Sequence, residues 1–222
     1  KKYGLKKHYR YILVDEYQDT TYTNYNLIKS LQDKTDAHLT VVGDDWQSIY
    51  GFRGTNIEFF SLFEEYFENP QRIFIEKTYR NPQELIDIAG SFIMKNPKQI
   101  RKSLKSPKNL KKPVKIIYPQ KNPIEKREMI YNLIKDLSEK SEDVLILGRT
   151  NNNINQFIKH RNLVKKGNLK KDKFLRILDK TDKSMNNVYY RTLHSSKGLE
   201  ADNVIIINMV DDYLGFPSKL KT

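Results

Sequence analysis

The chain has 222 residues, with 40 Lys and Arg against 27 Asp and Glu for a formal charge of +13, and that balance points to a polyanionic partner, nucleic acid first. The absence of cysteine excludes a disulfide framework and a thiolate metal site and fits a reducing compartment, so a cytoplasmic location is expected. The length suffices for one large or two small domains with a real core, while the longest apolar run, around Val204 to Ile207, is far too short to span a bilayer, so no membrane partner is expected.

Residues 1–10 are basic, lack an initiator Met and carry no periodic pattern, so the chain is expected to be part of something longer. Tyr11-Ile12-Leu13-Val14 predicts a buried strand that runs straight into Asp15-Glu16-Tyr17-Gln18-Asp19. Thr20 or Thr21 is suited to cap a helix reaching about Leu31, with Tyr25, Ile28 and Leu31 on one face. A second strand over 38–42 ends at Gly43-Asp44-Asp45, which predicts a second acidic loop on the same sheet edge. After Gly54, the helical spacing of Ile57, Phe60, Phe63 and Phe67 predicts one core-facing helix, closed by Asn69-Pro70. A strand over 72–75, the pair Tyr79-Arg80 and a helix over 82–94 follow.

Residues 95–115 are lysine-rich and punctuated by Pro97, Pro107 and Pro113, which predicts surface loop. Beyond them the pattern predicts strand 114–118, helix 124–137, strand 144–147, a polar turn 148–153 entering a short helix, a basic loop 165–173, and strands 188–192 and 204–207. Strands alternate with helices throughout. The expected class is therefore α/β, with mostly parallel sheets and flanking helices.

Chemistry in such sheets sits beyond the carboxyl ends of the strands, where Asp15 and Glu16 are placed to hold a magnesium ion and to orient a water. Gln18 and Asp19 are suited to couple that loop to its neighbour, because an amide changes partners without changing charge. Tyr50, Phe52 and Arg53 bring two ring planes and a cation together, and aromatic faces accept any base. The competing reading of those rings is plain core.

Four strings in order carry a resemblance: Asp15-Glu16-x-Gln18-Asp19; Val41-Val42-Gly43-Asp44-Asp45-Trp46-Gln47-Ser48-Ile49-Tyr50-Gly51-Phe52-Arg53-Gly54; Thr78-Tyr79-Arg80; and Thr192-x-His194-x-x-Lys197-Gly198-Leu199-Glu200. Together they resemble the motif series of UvrD/Rep-type superfamily 1 DNA helicases. Trp46 and the turn Gly148-Arg149-Thr150-Asn151 lean toward the helicase IV branch.

The resemblance implies RecA-like (P-loop NTPase-type) domains, with residues 1–79 as the later part of the first and 80–222 as most of the second. It implies ATP and Mg2+ as cofactors and single-stranded DNA and duplex junctions as partners, with movement 3′ to 5′. Asp15, with Glu16 beside it, is implied as the magnesium partner, and Glu16 as the base. Gln47 would sense the terminal phosphate. Tyr79 would stack on adenine, Arg80 would reach the γ-phosphate as an arginine finger, and Glu200 would bind the ribose. Thr192, His194 and Lys197, with Arg149 and Thr150 more weakly, would meet the nucleic-acid backbone, alongside Tyr50, Phe52 and Arg53. Thr150 has the simpler alternative of capping the helix after it.

One departure matters: no Gly-x-x-x-x-Gly-Lys-Ser/Thr phosphate loop occurs in these residues, so the Walker A part of the parent chain is an expected partner and this piece alone is expected not to hydrolyse ATP. Gly51 and Phe52 also stand where the family often has Arg and Trp. A non-hydrolysing DNA-binding or scaffold relative, and the motor of a helicase-nuclease, are the alternatives.

Overall fold

The computed structural model describes residues 8–118, 122–140, 142–158, 163–167, 175–179, 187–211 and 215–216. The chain divides into two compact units, Lys1–Ile116 and Ile117–Thr222.

In the first unit, β1 (Tyr11–Val14) pairs in parallel with β2 (His38–Val41), Tyr11 opposite His38 and Val14 opposite Val41. Between them runs α1 (Tyr22–Thr35), whose Thr21 hydroxyl accepts the Asn24 N–H at 3.3 Å; Asp36 ends it in the left-handed region at φ 52°. Helices α2 (Glu58–Ser61) and α3 (Phe63–Tyr66) complete an aromatic core with α1. Tyr25 stacks on Phe59 at 4.5 Å and meets the edges of Tyr66 and Phe67, pairings worth about 0.5–1.5 kcal/mol each beyond their buried area. Tyr17 and Phe59 are fully enclosed. Helix α4 (Gln83–Ile93) begins after Pro82, and the Gln83 side chain binds Leu104 O and Ser106 N, fastening the loop beyond it.

In the second unit, α5 (Pro123–Ser138) starts where Asn122 accepts the Ile124 N–H at 2.9 Å and Pro123 takes the first turn, where no N–H partner is needed. The strand β3 (Val144–Gly148) is buried along its whole length, as a continuous apolar run covered on both faces should be. Helix α6 (Asn153–Ile158) follows, then β4 (Leu163–Lys166), β5 (Leu175–Asp179), β6 (Val188–Thr192) and β7 (Asn203–Ile206). The sheet order is β4-β5-β6-β3-β7, with β3 parallel to both β6 and β7. Ile134, Ile146, Ile154, Ile177 and Tyr190 lie at the centre of its core.

Several expectations need correcting. The second sheet is mixed, because β5 is antiparallel to both β4 and β6. The connections on either side of β5 are shorter than the dozen or so residues that a parallel crossover needs. The expected loop over 165–173 begins inside β4, and its residues 168–173 lie outside the described residues. The expected strands over 72–75 and 114–118 join no sheet; Ile73 and Ile75 are 86% and 80% exposed, and the nearest pairing is a single bridge, Lys77 to Lys105. The aromatic helix after Gly54 breaks at Leu62. Positions 59 and 67 would sit about 80° apart on a straight helix, so the break lets Phe59 and Phe67 both meet Tyr25. The compactness of the first unit runs on through α4 and the lysine-rich loop to Ile116.

Candidate functional site

Parallel pairing sends β1 and β2 out at the same edge, and the ladder continues past the strand ends. Val42 N donates to Val14 O at 2.8 Å and Tyr17 N to Val42 O at 2.9 Å, so Asp15-Glu16 and Gly43-Asp44-Asp45 leave side by side. Asp15 and Glu16 are exposed. Glu16 sits in the left-handed region at φ 51°, ψ 39°, a conformation costing a non-glycine residue about 1 kcal/mol, and its N–H is held by Asp15 Oδ1 at 2.8 Å. The strained backbone turns the Glu16 carboxylate back toward Gln18.

Gln18 joins the two loops. It is fully buried, its Nε2 donates to Glu16 Oε2, and its Oε1 accepts the Asp44 N–H at 2.9 Å. The coupling expected of this amide is thus present in the geometry. Gly43 makes room for it, since a Cβ there would lie 2.5 Å from Gln18 Oε1 and 2.9 Å from the Phe60 ring.

On the second loop Gln47 Nε2 donates to Asp44 Oδ2 at 2.8 Å, and Asp44 Oδ1 accepts the Trp46 N–H at 3.2 Å and pairs with the Lys102 ammonium. Burial pushes the Asp44 carboxyl up, but Lys102, Gln47 and the Trp46 N–H together outweigh it and hold the group below the ordinary carboxylate range. Lys102 also pairs with Asp45, which is 1% exposed.

Tyr50, Phe52 and Arg53 form a cluster in which the guanidinium lies 4.8 Å from the Tyr50 centroid and 5.5 Å from that of Phe52, the rings meeting edge to face at 6.2 Å. Phe52 is 58% exposed, so the core reading of that ring does not hold. Tyr79 is exposed with Lys77 Nζ 5.1 Å from its ring centre, and Arg80 beside it is exposed as well.

In the second unit Gly148 pairs with Thr192, so the turn at Arg149-Thr150 and the loop at Thr192–Lys197 leave one sheet edge together. Thr150 N donates to Asn153 Oδ1 at 2.7 Å and the Thr150 hydroxyl donates to the same oxygen at 3.3 Å, so the Asn153 side chain at the start of α6 reaches back to hold the Thr150 turn. The Tyr190 hydroxyl buttresses this turn from within by donating to Thr150 O at 2.6 Å. The Thr192 and Ser195 hydroxyls are bonded at 2.6 Å, and His194 and Lys197 are half-buried beyond them. Glu200 lies exposed on the crossing from this edge toward the start of β7.

Among the described residues no three His, Cys, Asp or Glu side chains converge as a metal cage. An ion held by one or two carboxylates, phosphate oxygens and waters needs no such cage, and Asp15 with Glu16 is a donor set of that kind.

Residues 3–68 match the UvrD/REP helicase N-terminal domain. ATP-dependent DNA helicase Rep of Buchnera aphidicola subsp. Baizongia pistaciae is 34% identical over 153 residues, covering 68% of this chain and 23% of that protein. DNA helicase IV of Escherichia coli K12 is 28% identical over 211 residues, 95% of this chain and 28% of that one. DNA helicase II of Haemophilus influenzae is 34% identical over 149 residues, 66% and 20%. The chain is of the UvrD/Rep type.

Within this UvrD/Rep-type sequence the matched residues 3–68 contain β1, β2 and both acidic loops. The chain spans roughly a quarter of the length of the relatives just named. Reading the sequence missed Lys102, which its lysine-rich surroundings disguise as solvated surface, and the Tyr190 buttress, which an alternating strand pattern cannot distinguish from an ordinary core tyrosine. No helix among the described residues is long and apolar enough to cross a membrane.

Proposed function

We propose that this chain is part of an ATP-dependent DNA helicase of RecA-like architecture, moving 3′ to 5′ along single-stranded DNA. The observation that carries the proposal is the buried Gln18 amide, which links the Glu16 carboxylate on one strand end to the Asp44 backbone on the next. An ATPase must pass the state of its reaction centre to the surface that holds its track, and that amide is one hydrogen bond from each loop.

Asp15, with Glu16 beside it, would hold Mg2+, which when bound neutralises charge on the phosphates. Glu16 would accept the proton of the attacking water from a position fixed by its left-handed backbone and by Gln18. Gln47 would leave Asp44 for the terminal phosphate, an exchange of one hydrogen-bond acceptor for another. Arg80 would stabilise charge on that phosphate, with Tyr79 on the adenine and Glu200 on the ribose. Tyr50, Phe52 and Arg53 would stack on bases and bind the backbone, which suits a motor indifferent to sequence. Arg149, Thr192, His194 and Lys197 would add donors along the phosphates, joined by Thr150 once its N–H and hydroxyl, both given to Asn153 Oδ1, are released.

DNA-stimulated ATP hydrolysis by the full-length parent tests this, with Glu16→Gln and Arg80→Ala as variants. Each is expected to lower turnover at least a hundredfold, in keeping with the loss of a general base or an arginine finger. Wild-type turnover in both would refute the assignment.

A further inference from the structure

We infer that Lys102 is a positioning residue for Gln47, acting through a buried clamp that joins residues 99–102 to the Asp44–Gln47 turn. The inference rests on the role proposed for Gln47 and adds to it a residue outside the four motif strings.

The clamp has four parts. Asp45 Oδ2 accepts the Ile100 N–H at 2.7 Å. Trp46 Nε1 donates to Ile100 O at 3.1 Å. The Lys102 ammonium pairs with both Asp44 and Asp45. The same ammonium lies 5.4 Å from the Trp46 ring centre. With its amide nitrogen turned toward Asp45, Gln99 donates to Asp45 O at 3.2 Å as well. Lys102 is 13% exposed on its side chain and Asp45 0%, so the pair is largely shielded from solvent screening.

One cation therefore serves two adjacent carboxylates with different tasks. Asp45 is structural, enclosed and tied to Ile100. Asp44 is the group that holds the Gln47 amide. Lys102 fixes the second relative to the first, and by drawing charge from the Asp44 carboxylate it weakens that carboxylate as an acceptor for Gln47. Lys102 thereby sets both where the Gln47 amide rests and how readily it is given up. Without the ammonium, two carboxylates would face one another with one of them buried, and the turn would have to open.

Trp46 is the chain's one tryptophan and lies inside the clamp, so its emission reports the clamp without any catalysis. In the 222-residue chain Lys102→Met is expected to shift Trp46 emission to longer wavelength and raise its quenching by acrylamide, and Lys102→Arg to restore both at least in part. In the full-length parent, Lys102→Met is expected to lower ATP turnover at least tenfold while KM for ATP stays within about twofold. The double variant Lys102→Met with Asp45→Asn leaves no uncompensated buried charge and tests the point if the single variant does not fold; its turnover is also expected to fall tenfold, because Asp44 still lacks the ammonium. Wild-type turnover in that double variant, or wild-type emission in Lys102→Met, overturns the inference. Gln47→Ala separates the two levels: if it lowers turnover and the Lys102 variants do not, only the positioning role fails, and if it leaves turnover unchanged, the phosphate-sensing role of Gln47 fails and takes the positioning role with it.

Discussion

Gly43→Ala probes the joint between the two acidic loops with a single methyl group. The backbone at Gly43 is not in the left-handed region, so alanine meets no conformational penalty and any effect is steric. The new Cβ would lie 2.5 Å from Gln18 Oε1, about 1 Å short of an ordinary contact, and 2.9 Å from the Phe60 ring. Gln18 is fully buried and can retreat only by giving up the 2.9 Å bond from Asp44 N. Stranding that N–H costs about 1–3 kcal/mol, and overpacking against Phe60 costs a similar amount, so a loss of about 2–6 kcal/mol is expected. Urea unfolding followed by Trp46 emission measures it within the first unit, where that tryptophan lies. Gln18→Ala alone should also destabilise, but combined with Gly43→Ala it opens the space the methyl needs, so the double variant should cost less than the sum of the singles. A Gly43→Ala change of under about 0.5 kcal/mol, or strict additivity with Gln18→Ala, would refute the steric account.

Phe52→Ala should weaken single-stranded DNA binding by the parent by about 1–3 kcal/mol per stacked base while leaving the melting of the exposed site unchanged, as fluorescence anisotropy and thermal unfolding will show. Burial raises both Tyr17 and Tyr190 to about 12 from an ordinary 10, so the folded chain keeps them neutral where the unfolded chain ionises them. Their contribution to stability is therefore full below about pH 10 and lost as pH rises toward about 12; urea midpoints across that range should fall, and less steeply for Tyr17→Phe in the first unit.

What was legible in the sequence was what announces itself locally. Tyr11 to Val14 is apolar and ends in acids, and Val144 to Leu147 is apolar and ends in a glycine turn; both are strands. Their parallel partners followed from alternation with helices. The 72–75 and 114–118 stretches have the same local look, yet Ile73, Ile75 and Ile116 stand exposed, because a strand exists only where another backbone completes its hydrogen bonds. The opposite error came at β5. Leu175 and Ile177 point inward while Arg176 points out, a period-two signal hidden among lysines, and the buried Asp179 at its end accepts from a hydroxyl distant in sequence, Tyr131 OH at 2.7 Å. The chemistry divides in the same way. Asp15, Glu16 and Gln47 were visible as motif letters, whereas Lys102 becomes meaningful only when the fold carries it to two carboxylates fifty-seven or so positions away.

The two units share a device that neither sequence pattern nor motif order reveals. In the first, Gly43 follows β2, and the polar group that fills the space over it is Gln18, from the segment just beyond the neighbouring strand β1; Gln18 then accepts the N–H of the next loop residue, Asp44. In the second, Gly148 closes β3, and the polar group over it is the Tyr190 hydroxyl, from the neighbouring strand β6; it lies 2.5 Å from where a Cβ would stand and donates to Thr150 O two residues on. In each case a missing side chain at the carboxyl end of a strand admits a buried polar group from next door, and that group fixes the loop that follows. In the proposed ATPase cycle, loops at this edge have to be both precisely placed and able to change partners. A hydrogen bond from a buried amide or phenol meets both needs, because it costs about 1–3 kcal/mol to leave unmade yet can be exchanged for another at little net cost. The glycines are thus determinants of loop position, and beside the bonds each loop makes within itself, Asp44 and Thr150 are held by groups from the adjacent segment and strand, Gln18 and Tyr190.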